Sequence, residues 1–67
     1  MSDEIEFFIF LIEQYAHKEG VSADKVLKEW DALGLTRRII GMYERYHTEA
    51  LENAFDDIEK MKRETGR

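Results

Sequence analysis

The apolar positions of this chain recur at helical spacing in four blocks, and the first block is the densest. In Ile5–Ala16, IEFFIFLIEQYA, six apolar residues stand in a row from Phe7 to Ile12. At about 100° per residue, Ile5, Phe8, Ile9, Leu11, Ile12, Tyr15 and Ala16 fall in one broad stripe, which predicts a helix packed on a core. Phe7 and Phe10 fall outside that stripe, on the side that carries Glu6, Glu13, Gln14 and His17. A buried strand is the competing reading of six apolar residues. The spacing nevertheless stays helical to Ala16, and no glycine or proline intervenes before Gly20. The segment is read as a helix with apolar groups on one face too many.

Asp3 with Glu6 predicts a capping box, and Asp3, Glu4 and Glu6 set negative charge at the positive end of the helix dipole. Gly20 predicts the left-handed stop after Glu19, with Val21 folding back as the trailing apolar contact. Ser22 then caps a second helix whose inner face is Ala23, Val26, Leu27, Trp30 and Leu33, with Asp24–Lys28 and Lys25–Glu29 paired outside. Gly34 and Leu35 repeat the corner. Thr36 is read as the cap of a third helix with Ile39, Ile40, Tyr43 and Tyr46 inside and Met42 and His47 at the edges.

The stripe resumes as Ala50, Leu51, Ala54, Phe55, Ile58 and Met61, turned around the axis by roughly a fifth of a turn. Thr48 with Glu49 predicts a new helix there, and a single bent helix over 37–63 is the alternative. Asp56–Lys60 and Glu59–Arg63 have pairing distance along the last segment, and residues 65–67 are expected to fray. The fold class is all-α: a small bundle of three to four short helices around a central apolar N-terminal helix, in a single domain over 1–67.

Sixty-seven residues are few for one core to stabilise, and small chains commonly recruit a crosslink, a metal or a partner. With no cysteine, disulfides and cysteine-based zinc sites are excluded. Good helix packing, oligomerisation or a protein partner remain. Ten basic against fifteen acidic residues give a net charge of −5. That balance opposes nucleic-acid binding, which requires clustered positive charge. The acidic start MSDEIE lacks the basic segment of a signal peptide, and the apolar run is shorter than the roughly 20 residues of a membrane span. The expectation is a soluble cytoplasmic protein without a membrane segment.

Little catalytic chemistry is on offer. Ser2 and Ser22 serve as helix starts, the glycines are isolated rather than phosphate-binding, and Asp56 and Asp57 lie on an ordinary solvated face. Glu44 and His47 have the Glu-x-x-His spacing of di-metal bundles, but such bundles need two copies and further carboxylates. Glu13 and His17 form a similar exposed pair. No catalytic residue, cofactor or metal is assigned. Trp30 is read as a core anchor, and Tyr15, Tyr43 and Tyr46 as rings buried with satisfied hydroxyls. Phe7 and Phe10, one turn apart with Gln14 beyond them, are the partner-binding candidates, since this is how a helix offers anchors to a groove or a matching helix. Cover by the C-terminal helix within the monomer is the alternative.

The succession FFIFLIEQY, GVSADKVLKEW, Gly34-Leu35, MYERYHTEA and Asp56-Asp57-Ile58 resembles a family of short bacterial all-helical proteins, domain of unknown function 3791. The resemblance covers roughly Ile5 to Lys60. Family members carry turn residues shortly after the His-Thr pair, where this chain has Glu49, Ala50 and Leu51. The resemblance implies no established activity. It implies a small accessory protein beside larger predicted toxins of ADP-ribosyltransferase type, hence an antitoxin-like or immunity-like partner, with His47 and Thr48 as either functional residues or a helix edge and cap.

The functional reading is a non-enzymatic protein–protein interaction module. It is either a homodimer or the small partner of a larger bacterial protein, engaging through Phe7, Phe10 and Gln14. A small DNA-binding regulator using Arg37, Arg38 and the third helix is the alternative.

Overall fold

The two helix-to-helix corners of the chain are built alike, and they set the antiparallel course of its first half. In the computed structural model, which describes residues 2–65, α1 runs Asp3–Glu19 and α2 runs Ala23–Ala32. At the end of α1, Val21 N donates to the Ala16 carbonyl and Gly20 N to that of His17. At the end of α2, Leu35 N donates to Trp30 and Gly34 N to Asp31. Both are the paired bonds of a glycine-closed helix terminus, and both glycines have the left-handed φ it requires, 71° and 72°. Ser22 follows at once, accepting from Lys25 N at 3.1 Å, so only three residues separate α1 from α2.

Beyond the second corner the helical ladder breaks twice. α3 is Thr36–Ile40, α4 is Tyr43–Tyr46 and α5 is Leu51–Thr65. At Gly41–Met42 the bonding tightens, with Met42 N donating to Ile39 only three residues back. The second break spans 47–50, where the apolar stripe changes phase. A continuous helix over 37–63 is therefore overturned, and the all-α class stands with five helical segments among the described residues. Tyr46 and Ile58, on either side of the second break, are both buried.

Three capping assignments move. Ser2, rather than Asp3, caps α1, accepting from Ile5 N at 3.3 Å, so Asp3 occupies the first helical position. Thr36 is the first residue of α3 rather than its cap, and its hydroxyl donates to the Asp31 carboxylate at the end of α2. Thr48 closes α4 instead of opening α5, its hydroxyl donating to the carbonyls of Arg45 and Glu44 at 2.9 and 3.3 Å.

The core collects Phe8, Leu11, Ile12, Tyr15 and Ala16 of α1 with Val26, Trp30, Leu35, Ile39, Tyr46, Ala54, Phe55, Ile58 and Met61. Trp30 lies at its centre, fully buried, with ring centroids 5.8 Å from Phe8 and 5.3 Å from Tyr15. Its Nε1 meets no acceptor among the described residues, a desolvation cost of about 1–3 kcal/mol that burial of the indole must outweigh. Tyr15 also meets Phe55 edge-on at 5.6 Å, which joins α5 to α1. Two members of the predicted stripes are exposed: Ile9, at 42%, and Ala50. Val21 is exposed as well, whereas Leu35, its counterpart at the second corner, is buried.

Asp24 and Lys28 pair at 3.1 Å as their spacing predicts. In α5, Glu59 instead turns toward Lys62, at 3.6 Å, and toward Tyr15. Thr65 is still helical, its hydroxyl donating to the Met61 carbonyl, while Gly66 and Arg67 lie outside the described residues.

Two glycine substitutions should have opposite signs. Gly34 holds φ +72°, a conformation costly to a residue with a Cβ, so Gly34→Ala should destabilise by about 1 kcal/mol. Gly41 has φ −66° and room for a methyl 3.4 Å from the Arg37 carbonyl, so Gly41→Ala should stabilise by about 0.4–1 kcal/mol. Thermal unfolding followed by circular dichroism checks both, as shifts of about 4–8 °C per kcal/mol.

Candidate functional site

The length of α1 and its position against α2, α3 and α4 decide which of its groups stay free. Its inner side is committed to the core, and its outer side carries Asp3, Glu6, Phe10, Glu13, Gln14 and His17, all exposed. These residues recur at three- and four-residue steps and so form one row along the helix. Phe10 sits at the middle of the row with 47% of its surface exposed. Phe7 borders the row and is half-buried against the core. Its ring meets Phe10 at 6.3 Å, Tyr43 edge-on at 5.7 Å and His47 edge-on at 6.3 Å.

The sequence-predicted trio is therefore divided. Phe10 and Gln14 are presented to solvent, whereas Phe7 is partly covered from within the chain by α4. Tyr43, which spacing put inside the third helix's stripe, and His47, which it put at the edge, flank the face. Their rings stack in parallel with centroids 4.1 Å apart, and His47 Nδ1 contacts the Tyr43 carbonyl one turn back. The signal for this pair was their separation of four residues on one helical edge. Ile9 is exposed on the opposite flank, about 100° around the axis from Phe10, beyond Glu6 and Glu13.

The other candidates disperse. Glu44 is exposed and His47 is engaged with Tyr43; among the described residues no group of three or more metal-ligating His, Asp or Glu side chains converges. Arg37 and Arg38 are exposed on the five-residue α3. Asp56 is exposed, while Asp57 accepts from the Tyr46 hydroxyl and lies 4.0 Å from Arg45.

A second concentration of polar groups lies where α1, α2 and α5 meet. The Tyr15 hydroxyl donates to Glu59 and accepts from Lys62 Nζ at 3.1 Å, and Lys62 also reaches Glu29 at 3.4 Å. A cleft of about 240 Å³ opens beside this network, walled by Val21 and Val26 and edged by Glu19 and Lys25. Every polar group at its floor already has a partner inside the chain. The network is thus a clamp between helices. Burial, followed by the hydrogen bond to Glu59, pushes the Tyr15 phenol up to about 12. Burial and the Asp57 carboxylate likewise raise Tyr46. Burial opposes the Lys62 ammonium, but the Tyr15 hydroxyl and the charges of Glu59 and Glu29 outweigh it and hold Lys62 above the usual lysine range.

The profile of a family described as "Protein of unknown function (DUF3791)" matches residues 6–64. The chain belongs to this family. The DUF3791 match takes in α2, α3 and α4 entirely and all but the ends of α1 and α5, so the clamp and all of the row on α1 except Asp3 lie within it. No significant match occurs among the curated proteins or among the solved structures. No helix of the described residues is long and apolar enough to cross a membrane.

The clamp generates a pH prediction. Tyr15 and Tyr46 hold their protons more tightly folded than unfolded, so their contribution to stability is complete below about pH 10, the ordinary phenol value. It is lost as pH rises, for Tyr15 through about 12. In an alkaline titration, tyrosinate absorbance at 295 nm from these two rings should appear together with loss of helix. Tyr15→Phe should show a shallower alkaline decline but lower stability at neutral pH, by about 1 kcal/mol for the lost hydrogen bonds.

Proposed function

We propose that this chain is a non-enzymatic, cytoplasmic protein–protein interaction module that docks through the outer face of α1, around Phe10. The supporting observation is the disposition of that ring. A phenylalanine at the midpoint of the longest helix stands half in solvent while Phe7, Tyr43 and His47 build an aromatic border beside it. An aromatic anchor with a polar rim is the anatomy of a binding hot spot, in which burial of the ring supplies affinity and the surrounding charge selects the partner. Glu6 and Glu13 flank the anchor, so the rim steers basic groups toward it. Gln14 lies one turn beyond Phe10 and offers both a donor and an acceptor at the edge. In this reading the occupant is a second copy of the chain or a larger protein to which the chain is a small accessory.

The half-burial of Phe7 separates the two phenylalanines experimentally. Phe10→Ser should leave the helical spectrum and the melting temperature within a few degrees of the parent, because an exposed ring contributes about 0.5 kcal/mol or less to the isolated fold. Phe7→Ser should cost about 1–3 kcal/mol through lost packing on the core. A photoreactive phenylalanine analogue at position 10 should form covalent protein adducts in cells. The same analogue at Lys28, exposed on α2, is the control. Equal adduct yields at the two positions would end the docking proposal.

A further inference from the structure

On the reading of α1 as a docking face, we infer that its occupant is a basic segment of a different protein, which lodges an arginine side chain between Ile9 and Phe10 with the guanidinium against Glu13. Ile9 and Phe10 are 42% and 47% exposed, so two large apolar side chains stand uncovered side by side on the longest helix. At about 100° per residue, Glu6 and Glu13 project into the sector between them, one turn below and one turn above. The four residues are i, i+3, i+4 and i+7 of one helix surface, the diamond into which a side chain of a packing helix inserts. The diamond is apolar across its width and acidic at its two ends, and all four of its residues are exposed.

Its two acids are not equivalent. Side chains of a helix lean toward its amino terminus, so Glu13 leans over the space between Ile9 and Phe10, whereas Glu6 leans away from it. Neither is spent within the chain: the ion pairs among the described residues use Glu19, Asp24, Glu29, Glu49, Asp57 and Glu59. An aliphatic side chain entering the diamond would strip water from Glu13 and give it no partner. The same face of a second copy would bring further carboxylates. Arginine meets both demands, because its stem is apolar and its head is cationic. Its planar guanidinium lies on a phenyl ring while donating two N–H groups to a carboxylate, and it sheds water more readily than the ammonium of lysine.

The test is a nuclear magnetic resonance titration of the full chain with blocked, alanine-based helical peptides of about 20 residues. The peptides are identical except for arginine, lysine or glutamate at two positions one turn apart. The arginine peptide should shift the amide signals around Ile9, Phe10 and Glu13, the lysine peptide should bind several-fold more weakly, and the glutamate peptide should leave them in place. Glu13→Gln should weaken the arginine peptide about fivefold and Glu6→Gln less than about twofold. Glu13→Arg should transfer the preference to the glutamate peptide. Unmoved signals around Phe10 at millimolar arginine peptide overturn the inference. So do shifts spread evenly over other exposed acids such as Asp56, which mark general attraction to an acidic chain, and equal losses from Glu6→Gln and Glu13→Gln. Position-10 adducts in cells that persist undiminished in Glu13→Arg would keep the docking face and remove the basic occupant, whereas equal adducts at positions 10 and 28 would remove both.

Discussion

Tyr15 joins three helices of this chain through one side chain. Its ring stands between Trp30 of α2 and Phe55 of α5, with centroids 5.3 and 5.6 Å away, and its hydroxyl is tied to Glu59 and Lys62. Lys62 in turn reaches Glu29 of α2. One phenol thus links three helices twice, by apolar contact at the ring and by hydrogen bonding at the tip. The ring brings area that a short chain has few other ways to bury, and the clamp keeps the polar atoms at the core's edge from going unpaired.

This arrangement constrains what α1 can do with its other side. With α2, α3 and α4 against it and α5 joined through Tyr15, the inner half of α1 is taken up and its outer row is left without a helix to cover it. Phe10 is exposed as a consequence of topology: four further segments of the described lengths have settled on the opposite faces. Two uncovered acids on either side of the ring keep the row from being indiscriminately adhesive, and the histidine at its far end gives it polarity.

The second half of the chain shows local and tertiary demands in conflict. The residues from Arg37 to Arg63 contain no proline and only one glycine, so local propensity favours one long helix. A single rod would have carried the Tyr46 and Ile58 stripes out of phase by roughly a fifth of a turn. Two short breaks let both be buried, at the expense of a few backbone hydrogen bonds that Met42 N and the Thr48 hydroxyl partly restore.

Helix class, the two glycine corners, the Ser22 cap, the core role of Trp30 and the position of Phe10 and Gln14 off the core stripe were all legible from residue type and spacing, because each follows from contacts within one turn or from the period of the apolar stripe. What spacing could not decide was which flank of an over-wide stripe would be covered. Spacing placed Ile9 inside the α1 stripe and Phe7 outside it, and the structure reverses the two: α4 arrives from the Phe7 side, so Phe7 is half-buried and Ile9 is left outside. The α1 cap had the same ambiguity, since Ser2 and Asp3 are adjacent and equally able acceptors. The Tyr15–Glu59–Lys62 clamp was hidden for a further reason. Its members stand 44 and 47 residues apart, and only the meeting of α1 with α5 makes them neighbours.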